Sequence, residues 1–499
     1  MRIKATMKNS VYTLVFQMAI LIVGFFIPRF IIQAYGSEVN GFAANVTQIL
    51  NLINLLQAGT VGASIYEMYK PIAENDYERI GRIFFSSERY FKKVSYLFFF
   101  CTLLIIPYIL FFTENQLGVR DVIFSVAFIG ANATYVFRDF CKYDIIFSAH
   151  QKKYELVISQ AVEKVVYYLL LVPILYFKWS FILMYVAALI GTVAKVFYLK
   201  YKYSKDYKSS IHIYKNSSKY KIANQNKLLG NQIIQHMVEV YPTVTVSVFY
   251  GLKFASVLQI YAMVVNVFKM VFTTLQNSVA ASFGDLIARN DKKKTIEIYN
   301  IIQFVFIAGS LMFYIPMSVL MLPFVGIYTS NISDITYVCS GLANCIVAYI
   351  CSYTLFLPYN MFINASGMYG KVLKKNIIYG ILSVIIAIVC CGYDFQYIFV
   401  GGIIYYSLSI IDRYYVLKKN SVSLKLKNLL PSLGVIIFIF VGSYFINSCL
   451  SVNSIINTWT DWIIGGFCSV VLAFFILIIL SVFIYIPEIK GLKKYILKK

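Results

Sequence analysis

The sequence predicts an all-α polytopic membrane protein of about fourteen transmembrane helices, arranged as two pseudo-symmetric six-helix lobes plus an appended pair, with both termini cytoplasmic. Three observations predict it. Apolar segments long enough to cross a bilayer recur along all 499 residues. The loops between them alternate between lysine-rich and nearly lysine-free. All three tryptophans, Trp179, Trp459 and Trp462, fall at ends of segments on the lysine-poor side, where an amphipathic ring suits the membrane interface. Composition agrees: 60% hydrophobic and 13% charged residues is far from a soluble domain, in which charged residues make up about 25%.

A hydrocarbon core of roughly 30 Å takes about 20 helical residues to cross, and only structures that satisfy their own backbone can do so. Helices are expected near 10–35, 40–66, 94–114, 121–147, 155–177, 180–201, 228–250, 254–282, 298–325, 335–364, 372–392, 395–416, 429–449 and 462–487. The first follows Arg2, Lys4 and Lys8 in the manner of a signal peptide, but its apolar run is too long and no small-residue cleavage site follows, so it is read as a retained helix. After the second come Lys70, Arg79, Arg82, Arg89, Lys92 and Lys93; after the sixth, eight lysines from Lys200 to Lys227; after the eighth, Arg289 and Lys292 to Lys294. Lys490, Lys493, Lys494, Lys498 and Lys499 close the chain, whereas the odd-numbered gaps offer Arg120, Lys178 and Lys253. The positive-inside rule places the basic loops and both ends in the cytoplasm. Two charged stretches, 74–93 and 288–297, mix in Ile80, Ile83, Phe84 and Ile296 and are read as interfacial helices on the inner leaflet.

The net charge of +23 does not point to nucleic acid. The cations are spread over successive inner loops, where they set topology and contact anionic lipid. The nine cysteines lie mostly within expected helices without metal-ligand spacing and read as packing residues; no cofactor is expected. No GxxxxGKS/T phosphate loop appears, which argues against direct ATP coupling.

An internal repeat sets the domain plan. A shift of 215 residues aligns Gln17 with Gln232, Tyr35-Gly36 with Tyr250-Gly251, and Ala73-x-Asn75-Asp76 with Ala288-x-Asn290-Asp291; Pro28 and Pro242 fall within one residue of that offset, and Ala149 and Ala365 match at 216. A six-helix offset preserves orientation, so the expected symmetry is a parallel pseudo-twofold. The expected organisation is an N-terminal lobe over 1–202, a basic cytoplasmic linker over 203–227, a C-terminal lobe over 228–418, and appended helices 13 and 14 with a basic tail over 419–499.

The run Ile27-Pro28-Arg29-Phe30 through Tyr35-Gly36-Ser37-Glu38-Val39-Asn40-Gly41-Phe42, then Leu55-Leu56-Gln57-Ala58-Gly59 and Tyr69-Lys70-Pro71-Ile72-Ala73, resembles the N-terminal half of bacterial polysaccharide (Wzx-like) flippases of the multidrug/oligosaccharidyl-lipid/polysaccharide (MOP) transporter superfamily. Ser148-Ala149-His150-Gln151-Lys152-Lys153 and Ile363-Asn364-Ala365-Ser366-Gly367 resemble its turns after helices 4 and 10. The resemblance implies a multi-pass protein of the bacterial plasma membrane that moves an undecaprenyl-pyrophosphate-linked oligosaccharide from the inner to the outer leaflet, for capsule or exopolysaccharide synthesis. It also implies membrane lipids as partners and association with polysaccharide polymerase and export machinery. A sugar chain and pyrophosphate cannot cross hydrocarbon unaided, so a hydrated, cation-bearing cavity between the lobes is expected. An inside-negative potential of 100 mV would favour export by about 2.3 kcal/mol per negative charge.

Ionisable residues within spans are the candidate cavity ligands. Arg29 on helix 1 can grip a phosphate bidentately or snorkel to the outer interface. Arg138 and Lys142 on helix 4 share a face at i, i+4, near Asp139 and Asp144, as a ligand site or an internal ion-pair set. Lys164 on helix 5 is a ligand or a neutralising partner of Glu163. Lys195 is read as snorkelling and set aside. Glu239 and Lys269, on helices 7 and 8 with His236, form a salt bridge, or Glu239 couples a cation with Lys269 as competitor or substrate ligand. Relatives that flip the peptidoglycan precursor carry several arginines in the N-terminal lobe's cavity; helices 1 and 2 here supply Arg29 alone.

Two other function classes remain. A cation-coupled drug or metabolite antiporter of the same superfamily shares the fold, and fold does not decide substrate. A membrane glycan-modifying enzyme would call for a sizeable outer loop with acidic or histidine groups. The longest expected outer segment, 450–461, carries only Asp461, and the histidines are His150, His212 and His236.

Overall fold

The computed structural model describes residues 23–150, 152–208, 226–288, 292–420, 424–449 and 456–484. Residues 209–225 of the linker with His212, both basic chain ends, Gln17, Arg289, Asn290, Asp291 and Gln151 lie outside the described residues. The described chain is all helical, without a strand. Its long helices are α1 Val23–Tyr35, α2 Ser37–Glu74, α3 Tyr77–Phe112, α4 Val119–Ala149, α5 Lys153–Tyr176, α6 Ile182–Asp206 and α7 Asn226–Tyr250. They continue with α8 Leu252–Ala288, α9 Lys292–Tyr328, α10 Ser340–Ala365, α11 Tyr369–Tyr393, α12 Val400–Asn420, α13 Leu430–Cys449 and α14 Trp459–Ile484. Among the described residues, eleven helices are long and apolar enough to cross a membrane, and α1 adds a shorter apolar helix. The protein is a polytopic membrane protein.

The sequence repeat reappears in the helix ends. α2 and α8 begin 215 positions apart, as do α3 and α9, and α4 and α10 both end on the matched alanines Ala149 and Ala365. The Tyr-Gly pairs explain why. Gly36 and Gly251 adopt φ of 86° and 87°, a left-handed conformation that glycine enters without a Cβ penalty. Each lets the chain leave one helix and re-enter the next within a single residue.

By its packing the chain divides into two compact units, Met1–Leu229 with Tyr250–Ser256, and Gly230–Phe249 with Val257–Lys499. In the first, the spacing of the Tyr35–Phe42 run has structural causes. Tyr35 Oη donates to the carbonyls of Trp179 (2.6 Å) and Ile174 (3.2 Å). Asn40 Nδ2 donates to Ser256 Oγ at 2.7 Å, and Phe42 is fully buried with Val46, Ile105, Ile109, Val122, Val126 and Leu252. A Cβ on Gly41 would lie 1.7 Å from the Leu252 carbonyl oxygen, so backbone meets backbone there.

The expected interfacial helix at 74–93 is corrected. Asp76 caps Arg79 N, and the helix that starts at Tyr77 runs on into the span, interrupted at Leu104 before resuming at Ile105. Ile80, Ile83 and Phe84 are buried in a core with Phe98, Phe137, Phe147 and Leu199. The apolar stripe among those charges faces protein. The described part of 288–297 is likewise no separate element: Ala288 closes α8 and Lys292 opens α9.

The second unit is built around α10. It contacts α9, α12 and α13, and 83% of its span is buried, against 11% for α14, the most apolar span. This order is inverted relative to a water-soluble protein and follows from the solvent: in lipid the most apolar helix faces out, while small and polar residues such as Gly341, Ala343, Asn344, Ala348 and Ser352 let helices approach closely. Polar contacts then fasten α13 and α14. Asn428, just before α13, donates to Asn300 Oδ1 (2.7 Å) and Gln303 Oε1 (2.9 Å), Asn447 Nδ2 donates to Asn344 Oδ1 (2.6 Å), and Trp462 Nε1 donates to the Leu320 carbonyl (3.1 Å).

Candidate functional site

The ionisable side chains within the spans form a branched network and separate pairs in the first unit and two smaller sets in the second. The first network is organised by an irregularity in α4. Residues Val136–Phe140 form a turn of π-helix, closed by Cys141 N–H to the Val136 carbonyl. Such turns widen the helix locally and are frequent at functional sites. Arg138 and Asp139 ride on this turn. Arg138 Nε donates to Asp139 Oδ2 at 2.9 Å, yet the Arg138 side chain stays 47% exposed, with its guanidinium 5.9 Å from the Tyr135 ring centre. Lys142 is nearly buried and bridges Glu88 Oε1 on α3 (2.8 Å) and Asp139 Oδ1 (3.3 Å).

Arg138 and Lys142, expected to share a face near Asp139 as a ligand site or an ion-pair set, both converge on that carboxylate, and Glu88 on α3 joins them. Asp144 is not part of this set; it accepts from Ser148 Oγ at 2.9 Å.

Lys195 requires a correction. It does not snorkel: its side chain is 8% exposed and pairs with Glu163 Oε2 at 2.9 Å, with the ammonium 4.0 Å from the Phe140 ring centre. Glu163 thus answers Lys195 on α6, and Lys164, its chain neighbour, sits 5.7 Å from the Tyr167 ring centre. One residue's difference in helical phase, about 100°, decides which lysine meets the acid. Arg29 is partly buried on α1, one residue after the buried Pro28.

Beyond the end of α4, His150 and Lys152 pack on Tyr207, with the imidazole 4.6 Å from the Tyr207 ring centre and the ammonium 5.0 Å. Lys152 Nζ also pairs with Asp206 Oδ2 at 2.7 Å. His150 Nδ1 lies 2.9 Å from the Ile146 carbonyl oxygen, and burial holds the imidazole pKa below its usual 6.5.

In the second unit, Lys269 Nζ lies 2.6 Å from Glu239 Oε2, and His236 Nδ1 lies 3.5 Å from the same oxygen. The Lys269 ammonium stands 4.9 Å from the Tyr353 ring centre. Tyr353 packs on Tyr406 (5.4 Å), which also meets Tyr349 (5.7 Å) and Tyr405 (5.0 Å). The second set occupies α12: Asp412 Oδ1 pairs with Lys375 Nζ on α11 at 2.6 Å, and Arg413 is buried with 1% exposure. Among the described residues, no group of three or more His, Cys, Asp or Glu side chains could hold a metal ion.

Glu88, Lys375, Asp412 and Arg413 are the charged members that sequence reasoning misses. Glu88 falls in a stretch read as an inner-leaflet helix. Asp412-Arg413 lies near the expected end of helix 12, shortly before Lys418 and Lys419. An Asp-Arg dipeptide inside an apolar run is the available signal.

No protein-family model matches the sequence, and no curated protein matches it. Solved structures do match. An inward-facing multidrug resistance MATE family transporter of the MOP superfamily aligns with a TM-score of 0.62 at 11% identity, covering 88% of this chain and 99% of that one. The lipid II flippase MurJ in an inward closed conformation aligns with a TM-score of 0.61 at 15% identity, covering 95% and 98%. A crystal structure of a MATE point mutant aligns with a TM-score of 0.51 at 11% identity, covering 89% and 96%. The protein has the polytopic, all-helical fold of these transporters.

Proposed function

We propose that this protein is a MOP-superfamily flippase that carries an undecaprenyl-pyrophosphate-linked oligosaccharide repeat unit from the inner to the outer leaflet of the bacterial plasma membrane by alternating access, for capsule or exopolysaccharide synthesis. The observation that carries this reading is Arg138. An arginine within a span is costly unless it faces water or a partner, and this one stays half exposed on a π turn while Asp139 orients it. The rest of its planar fork suits a phosphate oxygen. Lys142, held between Glu88 and Asp139, sets the local field, and Arg29 and Lys164 are further candidate contacts to the anionic head. The working partners in this reading are the lipid-linked oligosaccharide and membrane lipids, with polymerase and export machinery downstream.

A second reading, a cation-coupled drug or metabolite antiporter, draws on the Glu239, Lys269 and His236 set, whose carboxylate can exchange a lysine for a cation. The deciding experiment is deletion of the gene in its host, followed by extraction of undecaprenyl-linked intermediates and treatment of intact cells with a glycan-cleaving enzyme that cannot enter. Complete repeat units protected on the inner face, with surface polymer lost, are expected. Normal outward presentation of the units would leave the antiporter reading in place.

A further inference from the structure

We propose that the second unit binds a small inorganic anion of the halide class on Arg413, within the bundle of α10, α11 and α12. Arg413 is among the largest fully buried side chains of the protein. Its Nη1 donates to the Ser409 carbonyl at 3.4 Å, and the guanidinium lies 4.4 Å from the Phe356 ring centre. Nε and Nη2, by contrast, are buried without a hydrogen-bond partner. These two nitrogens share one edge of the guanidinium plane, so they offer two parallel N–H donors in the fork geometry that takes an anion.

The nearby groups leave one net positive charge. Asp412 is next in the chain and acts on the guanidinium, but its Oδ1 is engaged by Lys375 at 2.6 Å and its Oδ2 is buried without a hydrogen-bond partner, so one carboxylate stands against two cations. Tyr405 Oη donates to Asn376 Oδ1 at 2.8 Å, and Asn376 in turn donates to Asn231 Oδ1 at 3.1 Å. Tyr405, Asp412, Tyr406 and Tyr379 surround the guanidinium closely enough to act on its charge, and none forms a salt bridge with it among the described residues. A buried cation without a direct counter-ion is disfavoured, and a membrane span adds to that. A bound anion resolves both problems.

The walls select the ligand. Phe356, Tyr405 and Tyr406 are each fully buried, so an anion entering must give up its water. Monovalent halides lose hydration more readily than phosphate or sulfate, whose multiple charges would also exceed the single cation. This site is separate from the proposed substrate contacts in the first unit, and the inference does not rest on the flippase reading.

The test uses the purified full-length protein in detergent at constant ionic strength, with sodium gluconate replaced stepwise by sodium chloride or bromide. A saturable rise in melting temperature of about 3 °C is expected for the wild type. It should be absent from Arg413→Gln and retained in Arg138→Gln. Should Arg413→Gln not fold, the wild type crystallised in bromide provides the second measurement: an anomalous peak within hydrogen-bond reach of Arg413 Nε and Nη2. Equal melting temperatures in chloride and gluconate, the same rise in Arg413→Gln, or a bromide peak only elsewhere would overturn the proposal.

Discussion

The two units share a helical plan and differ in how they handle charge. The first holds a branched ion network, in which Lys142 serves two acids and Arg138 shares one of them, beside a separate Lys195–Glu163 pair. The second uses pairs, Glu239 with Lys269 beside His236 and Asp412 with Lys375, together with a buried arginine that forms no salt bridge among the described residues. Similar backbones therefore carry different electrostatic devices. Fold repeats can be maintained by a few glycines and helix ends, while the ionic groups remain free to diverge.

The largest expected effect separates a network from a pair. Lys142→Met leaves Glu88 without its cation and Asp139 with Arg138 alone, at a cost of about 3 kcal/mol in the range for broken buried pairs. Lys269→Met should cost less, since it removes one ion pair rather than two, Lys269 is more exposed than Lys142, and Glu239 retains His236. Combining Lys269→Met with Glu239→Gln should recover most of that loss, whereas adding Glu88→Gln to Lys142→Met should recover only part, because Asp139 remains. Thermal melts in detergent read both cycles; full recovery in the first unit would show a simple pair there as well.

The next effect compares the matching corners. Gly36→Ala and Gly251→Ala each force an L-residue to positive φ, at about 1 kcal/mol. Gly251→Ala should cost more, since its Cβ would also lie 2.7 Å from the Glu114 carbonyl oxygen. Equal melting temperatures for the two variants would mean that the backbone contact at Gly251 relaxes freely.

Arg138→Gln tests exposure against burial. The exposed pair should contribute less than about 1 kcal/mol to stability, so the protein should fold and melt nearly as wild type, while leaflet transfer of the lipid-linked oligosaccharide falls at least about 10-fold, the loss expected from one charge-assisted contact. Unchanged transfer would remove Arg138 from the substrate path.

The smallest effect is pH dependence at His150, a group outside the spans. Its pKa is depressed in the folded protein by burial, so the unfolded chain takes up the proton more readily. The stability this group contributes is present above pH 6.5 and is lost as pH falls through the lower folded value. Melting temperature should decline slightly more on acidification in the wild type than in His150→Gln, and NMR should place the imidazole titration below 6.5.

Legibility in the sequence differs between elements. The spans are readable because lipid demands long apolar helices, and each expected segment overlaps a helix of the structure. The repeat is readable from Tyr35-Gly36 and Tyr250-Gly251, since only a few residue types suit a positive φ. Lys195 escapes a sequence reading because hydropathy locates a residue along the helix axis but not around it. Helical spacing alone sets Arg138 and Lys142 on one face beside Asp139, but it carries no information on Glu88, which comes from another helix.

By itself, then, the sequence determined that the chain spans a membrane, where its helices run and that its two halves repeat, since these follow from bulk transfer to lipid and from local backbone chemistry. Tertiary structure alone decided which acid meets which base, that Glu88 on α3 reaches Lys142 on α4, and that Arg413 is buried without forming a salt bridge among the described residues. Ion pairing falls steeply with distance and depends on helix rotation, and those quantities exist only once the helices have packed.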